Sequence, residues 1–131
     1  MTAAVRLVRA IAVAAFTAGN AALAAPAGDA ARGEALYARC FACHSLEADR
    51  TGPRHCGLFG RRAGSVPGFD YSPAMRASGI VWDARTLDRF LAAPLAAVPG
   101  TSMGYAGVAS AQERADLIAF LRAARCGGRL P

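Results

Sequence analysis

Cys40-Phe41-Ala42-Cys43-His44 is the stretch on which the reading of this chain turns. Two thiols three residues apart, followed at once by an imidazole, form the C-x-x-C-H pattern by which c-type haem is attached. The thiols add to the two vinyl groups of the porphyrin, and the histidine binds the iron. The spacing has a mechanical reason. At the end of a helix, cysteines three apart share a face, and the next residue can direct its ring at the metal from the same side. Other chemistries of paired cysteines need more than this chain supplies. A redox-active C-x-x-C belongs in a βαβ context, and a zinc site needs a second ligand pair.

Reading outward from the motif, the sequence predicts short helices joined by loops rich in glycine and proline. Asp29 can cap a first helix that runs through Arg39, with Leu36 and Tyr37 as its larger apolar residues. An irregular stretch follows from Ser45 to Tyr71. Ser72-Pro73 reads as an N-cap with proline at the first helical position, and Gly79 closes that short helix. Asp83 caps another, with Leu87, Phe90 and Leu91 three and four apart, and Pro94 stops it. Ser110 and Glu113 predict a capping box for the last helix, whose stripe is Leu117, Phe120, Leu121 and Ala124 and whose end is Gly127-Gly128. No useful run alternates as a strand would, so the expected fold class is all-α with long loops.

A six-coordinate haem iron needs a second axial donor besides the histidine, and His55, Met75 and Met103 are the available side chains. Met103 follows Val98-Pro99-Gly100-Thr101-Ser102, a turn-forming segment that can bring a methionine inward from a loop. Met75 lies in a short amphipathic helix, where a methionine is more often core filling. His55 sits in an arginine-rich loop, where a solvated or hydrogen-bonded side chain is the ordinary outcome.

The chain's 131 residues allow one small domain, and 54% hydrophobic against 18% charged residues exclude a disordered or collagen-like chain. The formal net charge of +6 comes from arginine alone, since there is no lysine. Nucleic-acid binding is not expected, because the arginines lack aromatic interleaving and form no cluster larger than Arg61-Arg62. Residues 1–24 read differently from the rest. Arg6 and Arg9 precede an apolar run from Ala10 to Ala18, and Ala22-Leu23-Ala24 has the small-x-small pattern of a cleavage site. An uncleaved anchor would need about 20 consecutive apolar residues, and this run is shorter. The expectation is therefore a secretory signal over 1–24 and a monohaem domain over 25–131, located in the periplasm with no membrane span after cleavage. In that mature chain thirteen arginines against nine acids leave +4.

Beyond the motif, the order Gly52-Pro53, Gly57-Leu58-Phe59-Gly60-Arg61, Pro67-Gly68-Phe69-x-Tyr71, Gly79-Ile80-Val81-Trp82, Pro99-Gly100-Thr101-x-Met103 and Asp116-Leu117-Ile118-Ala119-Phe120-Leu121 resembles class I cytochrome c of the mitochondrial and bacterial photosynthetic type. The resemblance covers nearly all of the chain after the signal. It implies one covalent haem c on Cys40 and Cys43, with His44 and Met103 as axial ligands. Pro53 would accept a hydrogen bond from the other nitrogen of His44, and Arg61, Tyr71 and Trp82 would surround the buried propionate. Tyr37 and Phe120 would meet where the first and last helices cross. On the family's fold the loop holding Cys56 lies near the end of the last helix, which implies a Cys56–Cys126 disulfide. Phe90 and Met75 stand where relatives often carry tyrosine and asparagine, and the family's lysine docking ring is absent.

The function implied is a monomeric electron carrier rather than an enzyme. Its partners would be redox proteins with acidic docking surfaces: a cytochrome bc complex, a terminal oxidase, a photosynthetic reaction centre or a periplasmic dehydrogenase. The alternative is a peroxidase-like haem protein in which Met103 leaves the iron.

Overall fold

The computed structural model describes residues 24–124 and Gly127. The expected signal over 1–24 therefore lies almost wholly outside the described residues, as do Cys126 and Gly128. Among the described residues the chain forms α1 (Ala30–Tyr37), a 3₁₀ turn (Ala38–Cys40), α2 (Pro73–Ala77), α3 (Ala84–Ala92), α4 (Pro94–Ala97) and α5 (Ala111–Ala123). The sheet content there is an isolated antiparallel bridge between Arg62 and Val81, so the all-α expectation holds. No helix among them is long and apolar enough to cross a membrane.

Local side-chain chemistry starts each longer helix. The Asp29 carboxylate accepts from the Arg32 backbone N–H at 2.9 Å, and the Ser72 hydroxyl accepts from Met75 N–H at 3.2 Å. Asp83 and Thr86 make a complete capping box, their side chains each bonding the other's backbone N–H at 2.7 and 2.8 Å. At α5 the expected box is only half formed. Ser110 accepts from Glu113 N–H at 3.2 Å, but the Glu113 carboxylate turns to Arg39, at 2.9 and 3.2 Å. A long-range charged pair has taken the side chain that the local motif would use. The helix also stops at Ala123, before Gly127, because Ala124 is already extended. Pro94 ends α3 as expected and in addition opens α4, since it forces Ala93 out of helical geometry while presetting its own φ.

The architecture hangs on the crossing of α1 and α5. Gly33 lies directly on the α5 backbone: a Cβ there would sit 2.7 Å from Phe120 Cβ and closer still to the Asp116 carbonyl. Beside it, Tyr37 is fully buried with its ring 5.0 Å from that of Phe120. Asp116, nearly buried, accepts from Asp29 N–H, from the Arg32 guanidinium and from Gln112. Those donors, Arg32 foremost, hold its carboxyl well below the usual carboxylate range. Arg114 ties α3 to the entry of α5, bonding Asp88 at 2.7 Å and the Val108 and Ala109 carbonyls at 2.9 Å. The long loop is anchored on the segment after α2 by Gly60 N–H to Trp82 O, Ala63 N–H to Ile80 O and Trp82 N–H to Arg61 O, at 2.8 to 3.0 Å.

Gly33→Ala should lower the urea midpoint of the haem-loaded protein by an amount corresponding to at least about 2 kcal/mol, because the methyl must enter backbone that cannot yield. An unchanged midpoint would contradict so close a crossing.

Candidate haem-binding site

The 3₁₀ turn that ends α1 delivers Cys40, and the chain curls on, with Cys43 N–H and His44 N–H both donating to Cys40 O at 3.1 and 2.8 Å. This curl brings the side chains of Cys40, Cys43 and His44 to one cavity of about 470 Å³. Cys40 and Cys43 are free thiols, the first half-buried and pushed up from its ordinary pKa mainly by burial, the second exposed. Leu87, Phe90, Leu117 and Leu121 supply apolar wall from α3 and α5, and Met103 reaches the same cavity from the loop before α5.

His44 is held tightly. Its Nδ1 lies 2.7 Å from the Pro53 carbonyl, which can only accept, so Nδ1 carries the proton and the lone pair is on Nε2. Gly52 packs against the ring: a Cβ there would lie 2.6 Å from both ring nitrogens. Gly52 is itself fixed, its N–H donating to Cys43 O at 2.7 Å and its carbonyl accepting from Arg50 N–H at 2.9 Å. Burial lowers the pKa of His44, the Pro53 bond partly opposing it, so the ring is neutral and able to donate electrons to a metal.

The other expected residues also border this cavity. Trp82 is buried and tilted against Phe90, ring centroids 5.1 Å apart. Tyr71 is half-buried, T-shaped on Phe69 at 4.7 Å, and raised in pKa chiefly by burial. Arg61 donates to the Cys56 and Arg54 carbonyls at 2.9 and 2.8 Å. Burial lowers its pKa, and the ion pairs among the described residues engage other arginines. A half-buried guanidinium held by two carbonyls still calls for an anion. Met75 is buried in the core cluster, where the sequence placed it.

His55 is the residue whose place the sequence did not reveal. It is hydrogen-bonded, one of the two outcomes expected of it, but its partner and its stacking on His44 are not legible in the sequence. Its Nδ1 lies 2.9 Å from the Tyr37 hydroxyl, and its ring stacks on His44 with centroids 4.2 Å apart and planes at 25°. Burial first, then the neighbouring His44 and Arg61, push its pKa down to about 3. Only the closing of the loop over residues 45–56 makes this contact, and no periodic or motif signal encodes it.

These residues fit a c-type haem. Native cores are close-packed, so an apolar space of this size in so small a domain is room for a group rather than slack, and its volume falls in the range of about 300–1,000 Å³ usual for cofactor sites. Two thiols and an uncommitted imidazole nitrogen face into it.

Comparison with known proteins agrees. The family profile described as Cytochrome c matches residues 30–125. Among similar proteins, cytochrome c2 of Rhodomicrobium vannielii is 46% identical over 98 residues, covering 72% of this chain and 78% of that one. Cytochrome c2 of Blastochloris viridis is 42% identical over 101 residues, covering 75% and 80%. Among solved structures, cytochrome cH from Methylobacterium extorquens superposes with a TM-score of 0.71 at 41% identity, covering 72% of this chain and 98% of that one.

Gly52→Ala should displace the His44 ring from the Pro53 carbonyl. The share of purified protein carrying covalent haem, read as pyridine haemochrome against total protein, should fall several-fold. Wild-type loading would remove Gly52 from the site.

Proposed function

The chain belongs to the cytochrome c family, and from that premise we propose that it is a periplasmic carrier of single electrons with His44 and Met103 as axial ligands of its haem iron. As a family member it is an electron carrier built on covalent haem c, with the class I fold, and the peroxidase-like alternative has no support among its relatives. Bound haem supplies a one-electron iron couple. The protein's part is to hold, orient and dry that group.

The observation that carries the reading is the His44 Nδ1–Pro53 hydrogen bond, which commits one ring nitrogen and leaves the other for iron. Cys40 and Cys43 would form the thioethers. Met75 and Met103 both border the cavity; Met103 is the preferred second donor because it is only partly buried and comes from a loop shaped by the Thr101 N–H to Val98 O turn and by Gly100 at φ +90, whereas Met75 is a buried member of the core cluster. With Met103 as second donor beside His44, in a site walled by Leu87, Phe90 and Leu121, the bound haem would be held where the more positive ferric state is disfavoured, which would raise its potential. Arg61, with Tyr71 and Trp82, would hold a propionate, the guanidinium gaining a directly bonded anion in place of the two carbonyls alone.

Electrons would pass where Cys43 and its neighbours Phe41 and Ala42 are exposed. The mature charge of +4 suits brief docking, as a monomer, on acidic faces of a cytochrome bc complex, terminal oxidase, reaction centre or periplasmic dehydrogenase. The Arg6/Arg9, apolar and Ala22-Leu23-Ala24 pattern supports export with cleavage near Ala24.

An oxidising compartment would also let Cys56 and Cys126 pair. Cys56 N–H donates to Leu46 O at 2.6 Å, and the next residue, Glu47, accepts from Gly127 N–H at 3.1 Å, so Gly127 lies close to the segment paired with Cys56. Closing a loop of about 70 residues contributes about 3–4.5 kcal/mol in the chain-entropy model.

Met103→Ala should keep its haem but lose the methionine-to-iron charge-transfer band, with the potential falling by on the order of 0.1–0.3 V, part of the about 0.8 V that axial ligation spans. An unchanged potential would refute the ligand role. Peptide mass spectrometry under non-reducing conditions should find Cys56 linked to Cys126; two alkylatable thiols in the native protein would exclude the bridge.

A further inference from the structure

His55 and Tyr37 spend hydrogen-bonding groups in a place where apolar side chains would pack without desolvation cost. Tyr37 is fully buried, its ring wedged between Phe120 at 5.0 Å and Phe41 at 5.0 Å. Its hydroxyl meets His55 Nδ1 at 2.9 Å, and the His55 ring lies on the His44 ring at 4.2 Å and 25°. Rotation of an imidazole about its last side-chain bond is broad, so rotamer preference alone does not choose the plane of His44. The Pro53 bond fixes one ring atom in space, and Gly52 limits approach from the backbone. A flexible apolar neighbour would add contact without a defined plane. A flat ring pinned at one atom by a buried hydroxyl adds a defined plane.

We infer that His55, anchored by the Tyr37 hydroxyl, is a positioning residue that sets the rotational angle of the His44 imidazole. The inference rests on the reading of His44 as an axial ligand. In low-spin ferric haem the orientations of the two axial ligands together set how unpaired spin is shared among the pyrroles, so with the methionine unchanged a turn of the imidazole plane is written in the order of the haem methyl resonances.

The test is proton NMR of the haem-loaded ferric protein as wild type, His55→Ala and Tyr37→Phe, with optical spectra and thermal midpoints. Both variants should remain low-spin with the methionine band intact, while their haem methyl resonances reorder relative to wild type in the same sense. An unchanged order in both, with lowered midpoints, would make the contact mere packing and overturn the inference while leaving the ligand reading in place. If His55→Ala fails to fold, Tyr37→Phe, which removes one oxygen from the ring edge, decides alone on the same criterion. A wild-type spectrum lacking signals of a bound imidazole and methionine would instead overturn the ligand reading, and the positioning role with it.

Discussion

The bond from His44 Nδ1 to the Pro53 carbonyl is the contact on which the site depends. It joins the end of the first helical segment to the start of the long loop, and it needs every neighbour in place. The 3₁₀ turn must present Cys40, the curl must bring His44 round, Gly52 must leave room, and Arg50 and Cys43 must pin Gly52. A proline carbonyl suits the task, because proline's fixed φ narrows the directions its backbone can adopt. The result is an imidazole whose tautomer is decided before any metal arrives.

A second constraint is the shortage of core. Apart from the α1–α5 crossing and the α3–α5 contact, helices contribute little to holding the loops, and backbone hydrogen bonds such as Ala63 to Ile80 do that work. Polar side chains help at long range: Arg114 secures the loop that carries Met103, and Glu113 secures Arg39 beside Cys40. An all-α domain with so much irregular chain packs around a prosthetic group, so the cavity belongs to its architecture.

Much of this was legible in the sequence because it is local. The caps at Asp29, Ser72, Asp83 and Ser110 act over three residues, and the Cys40-to-His44 spacing is itself the chemistry. What escaped the sequence is non-local or very short. Glu113 reads locally as part of its own helix start but pairs with Arg39, 74 residues away, because a charge-assisted bond outcompetes a neutral backbone donor. α4 is four residues long and shows no period. His55 looked like an ordinary loop histidine, since nothing near it signals that Ser45 O to His55 N–H and Leu46 O to Cys56 N–H zip the loop closed and carry it under His44.

The α1–α5 crossing has a consequence in time. Its hydrogen bonds to Asp116 span 84 and 87 residues, so the two halves of the domain's central contact are made at opposite ends of synthesis. Until the final helix emerges, Gly33 and Tyr37 have nothing to close against, and bringing the two ends together carries the closure entropy of the chain between them. While that contact is open, Leu117 and Leu121 are also missing from the cavity wall beside Cys40, Cys43 and His44, so the crossing and the pocket close together.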